Sequence, residues 1–232
     1  MEIQVEKEPA SLSPNPKPIS VVGAVVVIIV TILLFLFLGS LILLIFGTAV
    51  GLVAGELILL AVPLGYLLFK RVDVKSYVGI KVTPKYVLMG IGSGVALLFI
   101  GTFVSGILTT IFGQSQVAEQ SNALLANLST STWGLVAVAT SLFLAGVCEE
   151  FAFRGFLQNT IARRYSFVPA VIVSSVIFGI LHFDPQFVYI IFALTEGVVL
   201  GVIYHYSKSY VAAAVAHSTM DLIVLALLLL SV

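Results

Sequence analysis

Long apolar runs recur along the whole chain, and they constrain its fold more than any other feature. They occupy residues 21–46, 50–69, 86–113, 133–164, 167–183, 187–206 and 209–231. Most of them approach or exceed the ~20 residues that a helix needs to cross a bilayer. The chain is 60% hydrophobic and only 9% charged, whereas soluble domains are nearer ~25% charged. We therefore predict an all-α, polytopic integral membrane protein with about seven transmembrane helices, six to eight being possible.

The apolar runs follow one another with short breaks, which predicts a single membrane domain over residues 21–231. Residues 1–20 are polar and rich in Pro and Ser, which predicts a flexible cytoplasmic tail. This segment lacks the basic-then-apolar layout of a cleavable signal peptide, so the first apolar run is interpreted as a span. The chain shows no internal repeat and no second domain.

The positive charges predict the orientation of the chain. Threading seven spans from a cytoplasmic N-terminus places all 11 Lys and Arg residues on, or nearest to, the cytoplasmic side. Positively charged loops are retained in the cytoplasm, so a cytoplasmic N-terminus is expected. The net charge is zero, and no basic stripe indicates a nucleic-acid partner. The lipid bilayer is the expected partner.

Three charged residues lie within the fourth predicted span, in the stretch "CEEFAFR". A charged side chain at the centre of a membrane helix costs roughly 2.5–3.5 kcal/mol, so a role is expected for each. Arg154 follows Glu150 by four residues, and we expect the pair to neutralise each other and brace the helix. Successive helical residues point ~100° apart, so Glu149 is predicted to face a cavity instead.

Two histidine-containing segments can reach the depth of these acids. The fourth and fifth spans form a hairpin turning near Tyr165, and Glu149 and His182 both lie roughly 24 Å from that turn. On the last span, His217 and Asp221 are four residues apart and therefore share one face. A carboxylate beside imidazoles is a suitable general base, so a common cavity would support proton transfer.

Three short motifs in these spans carry a resemblance to a known family. "EEFAFR" fits EExxxR, "FGILH" fits FxxxH, and "HSTMD" fits HxxxN/D. In this order, on separate hydrophobic helices, they resemble the CPBP intramembrane proteases, also called the CAAX protease or Abi family, which includes the type II CAAX endopeptidases. The resemblance covers about residues 130–231, which are interpreted as the catalytic core.

The resemblance implies an intramembrane endopeptidase of a prokaryotic cell membrane, acting on a membrane-anchored peptide or protein. A prenylated CaaX peptide is one candidate substrate. By similarity, Glu149 and His182 would activate a water molecule. His217 and Asp221 would stabilise the oxyanion or help to hold a metal. The implied supporting residues are Glu150, Arg154 and Phe178.

The resemblance leaves the cofactor open. Zinc could be held by Glu149, His182 and His217. However, the HExxH motif of many zinc proteases is absent, and a metal-free, glutamate-dependent reaction is favoured. Family members with Asn at the last motif position have an amide that can donate. Ionised Asp221 cannot donate, so it is expected to orient His217 or to be protonated itself.

The residues alone also allow two other functions. Intramembrane Glu, His and Asp residues relay protons in transporters, although transporters tend to show inverted repeats. The cluster could also belong to a non-catalytic membrane scaffold. Two further acids lie within spans: Glu196 is expected to pack or to line a cavity, and Glu56 has no predicted role. Cys148 is expected to be a buried apolar residue rather than a nucleophile.

Overall fold

The computed structural model describes residues 19–231. Within that range the helices are α1 (Val21–Phe46), α2 (Thr48–Phe69), α3 (Val74–Val78), α4 (Pro84–Phe112), α5 (Gln116–Leu128), α6 (Thr132–Arg164), α7 (Phe167–Leu181), α8 (Val188–Ser207) and α9 (Tyr210–Leu230). No strand occurs between residues 19 and 231, which confirms the predicted all-α class. The predicted flexible tail, apart from its last two residues, lies outside the described residues.

The helix lengths agree with a polytopic membrane protein. Six helices, α1, α2, α4, α6, α8 and α9, are long and apolar enough to cross a membrane. The fifth predicted span, α7, has only 15 residues. At the rise of an α-helix this is about 22 Å, less than the ~30 Å of a hydrocarbon core. Because α7 ends early, His182 and the loop that follows it lie short of a full crossing.

Apolar side chains cover the outside of the bundle, and small residues bring the helices together inside it. Leu44 and Phe99 are 79% and 70% exposed, as expected for a surface that faces lipid. Between α4 and α9 the contact depends on glycine. A Cβ atom on Gly94 would lie 2.5 Å from the carbonyl oxygen of Ala216. Close backbone approach at small residues is the usual means of packing membrane helices.

Helix α6 changes to a π-helical register over Phe151–Gln158, directly after the two glutamates. All eight side chains of this segment are buried. It contacts α1, α2, α3, α7, α8 and α9, so it is the central element of the bundle. The hydroxyl of Ser174 on α7 donates to the carbonyl oxygen of Phe153 at 2.9 Å, which confirms the predicted α6–α7 hairpin. Sequence reasoning assumed a uniform α-helix and missed the wider π-turn, a feature frequent at functional sites.

One end of the bundle gathers the positive charges. Helix α3 lies against the C-terminal parts of α6 and α8: Tyr77 and Thr160 share a hydrogen bond of 2.7 Å, and the Tyr204 hydroxyl donates to the Val78 carbonyl at 3.1 Å. The Tyr210 amide donates to the Gly79 carbonyl at 3.0 Å. The loop between α2 and α4, the end of α6 and the α8–α9 turn therefore meet. We call this end of the molecule the basic end.

The polar stretch between the third and fourth predicted spans is helical, which sequence reasoning did not predict. Helix α5 begins after Ser115, whose hydroxyl accepts a hydrogen bond from the Ala118 amide at 3.0 Å. This is the usual N-cap interaction of serine. The half-buried residues Val117, Ser121 and Leu125 repeat every four positions, so they form one face against the bundle. The repeat is hard to see among the surrounding Gln, Ser and Asn residues.

We expect Gly94→Ala to weaken the α4–α9 contact, because the added methyl group would collide with backbone rather than with a flexible side chain. Overpacking of this kind typically costs about 1–3 kcal/mol of unfolding free energy. Thermal unfolding in detergent measures the loss. The matched control is Gly92→Ala on the same helix, where nothing lies within 4 Å of the added atom. Equal unfolding temperatures for the two variants would contradict the packing argument.

Candidate active site

His217 on α9 is the centre of a buried polar cluster. It is only 4% exposed. Its Nδ1 lies 3.2 Å from Oε1 of Glu150 on α6. Its Nε2 lies 3.4 Å from Oε1 of Glu196 on α8 and 3.5 Å from Oδ2 of Asp221 on α9. Carboxyl groups from three helices therefore lie next to one imidazole. The prediction that His217 and Asp221 share one face of the last helix is confirmed.

Glu150 is held in place by Arg154, as the sequence predicted. Oε1 of Glu150 lies 2.8 Å from Nη1 of Arg154, and both side chains are 0% exposed. The guanidinium also donates to the Gly197 carbonyl at 3.1 Å. It lies 4.5 Å from the ring centroid of Phe178. Glu150 does more than brace the helix, because the same oxygen that meets Arg154 also meets His217.

The contacts of His217 determine which of its nitrogens donates. An ionised carboxylate can only accept, so Nδ1 carries the hydrogen that faces Glu150. Nε2 then faces Glu196 and Asp221. With a proton on Nε2 the ring is an imidazolium whose charge is balanced by those two carboxylates. Without that proton, a nitrogen lone pair faces them. Apart from its 3.4 Å approach to Nε2, Oε1 of Glu196 has no hydrogen-bond partner among residues 19–231.

His182 lies directly after the last residue of α7, in the short helix that ends at depth. Its Nδ1 is 3.0 Å from the carbonyl oxygen of Phe178. A carbonyl only accepts, so Nδ1 carries the hydrogen and Nε2 has a free lone pair. The ring centroid of Phe178 is 4.8 Å from that of His182 and 6.1 Å from that of His217. Phe178 therefore lies beside both predicted histidines, and its supporting role stays a prediction.

Glu149 is half-buried on α6, and its Oε2 has no hydrogen-bond partner in the described part of the chain. Within residues 19–231 no ion pair joins it directly to either histidine. The predicted pairing of Glu149 with His182 therefore stays a prediction. The carboxyl group that contacts His217 directly belongs to Glu150.

Two acids that sequence reasoning left without a catalytic role lie in or near this cluster. Glu196 is 6% exposed and contacts His217, rather than only filling space in α8. Glu56 comes from α2, outside the predicted catalytic core; α2 packs against α6, and Oε2 of Glu56 is buried without a hydrogen-bond partner among residues 19–231. The signal was present, because an acid in the middle of a span is costly unless it has a function or a partner. Which neighbouring helix such an acid faces depends on how the helices pack, and the sequence does not show that packing.

Glu196, His217 and Asp221 form the group best arranged to hold a metal. One donor atom of each lies within 4.8 Å of the other two. Zinc takes such nitrogen and oxygen ligands at ~2.0–2.2 Å, which puts two tetrahedral ligands roughly 3.3 Å apart. The distances of 3.4 and 3.5 Å from Nε2 are near that value. This group shares only His217 with the set suggested by the sequence.

We expect Glu150→Gln to destabilise the protein strongly, because it leaves Arg154 buried without a carboxylate. Breaking a buried ion pair on one side typically costs about 3–5 kcal/mol. Thermal unfolding in detergent should show that loss, and a similar one for Arg154→Met. Combining the two substitutions should cost less than the sum, since neither charge is then left alone. Strictly additive losses would show that the pair does not interact.

Comparison with known proteins finds a family match for the region that contains this cluster. The family described as Type II CAAX prenyl endopeptidase Rce1-like matches residues 130–223. No curated protein and no solved structure gives a significant match to the chain. The matched segment runs from just before α6 into α9 and includes all three motifs. Over residues 130–223 the chain is therefore similar to the Rce1-like type II CAAX prenyl endopeptidase family, in agreement with the resemblance of its motifs.

Proposed function

We propose that this membrane protein is an endopeptidase that hydrolyses a peptide bond with a water molecule activated by Glu149 and His182. The family match supports a CAAX-type intramembrane protease in general. The observation that carries the proposal is the buried His217, contacted by Glu150, Glu196 and Asp221 inside the matched segment. Such a cluster is costly in a membrane helix bundle unless it has a function.

Glu149 is the best candidate for the general base. Glu150 is occupied by Arg154 and His217, whereas Oε2 of Glu149 has no hydrogen-bond partner among the described residues. His182 offers a free lone pair at Nε2, since Nδ1 is turned to a carbonyl. A water molecule between the two groups would give a proton to Glu149 as its oxygen attacks the scissile carbonyl carbon. A base may act over a hydrogen-bond distance or through one further water.

His217 is suited to stabilise the oxyanion. Its ring is fixed by Glu150 at Nδ1, and a proton on Nε2, which lies beside Glu196 and Asp221, would be donated to an oxyanion that forms next to those two groups. A positioned donor of this kind is often worth about 2.7–4 kcal/mol in the transition state. Glu196 and Asp221, 3.4 and 3.5 Å from Nε2, would help to orient the ring. When the intermediate collapses, the carbon–nitrogen bond breaks and the proton held by Glu149 passes to the leaving amine.

The expected substrate is a membrane-anchored peptide or protein. The cluster lies within helices of membrane-spanning length, so a substrate must present its peptide bond at that depth. A lipid anchor would keep it beside the bundle, whose outside is apolar. The family description supports a prenylated CaaX-type peptide as the substrate class.

A metal-assisted form of the same hydrolysis is the second candidate, supported by the donor spacing of Glu196, His217 and Asp221. A bound divalent cation would polarise the scissile carbonyl as a Lewis acid. Glu149 would remain the proton acceptor in that form, because it lies outside the donor group. Glu150 would keep its role of orienting the His217 ring through Nδ1.

We expect Glu149→Gln to abolish cleavage of a quenched prenylated peptide while leaving the fold intact. Loss of a general base typically costs 10²–10⁴-fold in turnover. Turnover and thermal unfolding should be measured on the same detergent-purified samples. The matched control is Glu119→Gln, which removes an exposed acid on α5. Undiminished cleavage would refute the assignment of Glu149, and unfolding without a specific loss of turnover would favour the scaffold alternative.

We expect the wild-type protein to cleave after exhaustive chelation, because Glu149 can activate water without a metal. Metal content should be measured by mass spectrometry on the purified protein, before and after chelation. Glu196→Gln provides the comparison, since it removes one donor of the group. Stoichiometric zinc that disappears in Glu196→Gln, together with activity lost on chelation and restored by zinc, would replace the metal-free form by the metal-assisted one.

A further inference from the structure

A cavity of about 230 Å³ lies at the basic end, apart from the His217 cluster. Its walls come from α3 with the turn after it, the C-terminal parts of α6 and α8, and the α8–α9 turn. We call it the basic pocket, after the cations Lys81, Arg163 and Lys208 that line it together with His205. Gln158 forms part of the wall and is eight residues along α6 from Glu150. The fully buried Arg154 lies between them, so the pocket is a separate site.

The basic pocket holds positive charge without a counter-ion. No Asp or Glu lines it. None of its three cations forms an ion pair with a carboxylate within residues 19–231. Uncompensated like charges around a small cavity repel one another, and a bound anion removes that cost.

The cations are also oriented by neutral groups. The guanidinium of Arg163 donates to the Tyr77 carbonyl at 3.3 Å and lies 4.5 Å from the Tyr77 ring centroid. Nζ of Lys208 is 3.3 Å from Nδ1 of His205, whose ring stacks on Phe167 at 3.8 Å between centroids. These contacts leave further N–H groups of Arg163 and Lys208 available. Arginine is suited to bind planar or tetrahedral oxyanions through two hydrogen bonds, and lysine adds a point charge.

The surroundings of the pocket indicate a membrane surface. Tyr165 and Tyr206 are 67% and 75% exposed beside it, as is usual for aromatic residues at a bilayer interface. Next to them α7 presents Val168 and Ile172, 59% and 54% exposed, which offer a surface for acyl chains. Basic pockets at the ends of membrane helices bind phospholipid head groups, with the cations at the phosphate and the apolar helix face beside the acyl chains.

We propose that the basic pocket binds a phosphate group, namely that of an anionic phospholipid in the adjoining leaflet. Arg163, Lys208 and Lys81 would contact its oxygens, and the acyl chains would lie along α7. The lipid would join the turn after α3 to α6 and α8, and α6 is the helix that carries Glu149 and Glu150. This inference stands independently of the proposed reaction.

The test is the affinity of the purified full-length protein for phosphatidylglycerol, measured by native mass spectrometry from mixed micelles. The double variant Arg163→Gln/Lys208→Gln should bind it roughly 25-fold more weakly, at about fivefold for each cation near the head group. The matched control is Arg164→Gln/Lys85→Gln, which removes the same charge at the same end from outside the pocket. It should change the affinity less than threefold. Phosphatidylcholine should bind weakly to all of them.

Two further measurements complete the test: a single variant of the pocket and a competition with inorganic phosphate. Replacing Arg163 also removes its contact with Tyr77. The single variant Lys81→Gln leaves that contact intact and should bind phosphatidylglycerol roughly fivefold more weakly. Inorganic phosphate at millimolar concentration should not displace the lipid. Equal losses in the pocket and control double variants would overturn the proposal in favour of diffuse surface attraction. Displacement by inorganic phosphate would overturn the lipid assignment in favour of a free phosphate.

Discussion

The buried ion pair between Glu150 and Arg154 is the interaction on which the rest of the structure depends. Neither side chain reaches solvent, and the guanidinium is further held by the Gly197 carbonyl and the face of Phe178. In an environment of low dielectric, removing either charge of such a pair leaves the other buried and unpaired, which is strongly destabilising. The pair therefore fixes the distances among α6, α7 and α8. Through Oε1 of Glu150 it also fixes His217, and so α9.

The π-helical segment of α6 makes this arrangement possible. It begins one residue after Glu150 and buries every side chain it contains. Its neighbours include helices from both halves of the chain, although only residues 130–223 match the family. The first half is therefore not only a membrane anchor. Through α2, which packs against α6, it contributes the half-buried acid Glu56, and through α3 it closes the basic end.

Polar groups occupy two separate levels of an otherwise apolar molecule. At depth, several carboxyl groups surround His217, and among residues 19–231 Arg154 is the permanent cation that contacts one of them. At the basic end, lysines and arginines gather, and no acid of the described residues lines the basic pocket. The first level suits proton transfer, since burial and crowding make the charge of each group depend on its neighbours. The second suits a membrane surface, where positive charge meets lipid phosphates. The short α7 extends from the second level towards the first and ends at His182.

The sequence by itself determined the fold class, six of the predicted spans, the Glu150–Arg154 pair and the His217–Asp221 pair. These follow from run length and from four-residue spacing on one helix, which need no knowledge of neighbouring helices. Tertiary structure alone decided that Glu150 meets His217, that Glu196 joins them, and that α5 is a helix. Such contacts join different helices, so they depend on rotation and depth within the bundle. The π-turn after Glu150 changes the rotation and the depth of the residues that follow it, and no spacing rule in the sequence predicts that turn.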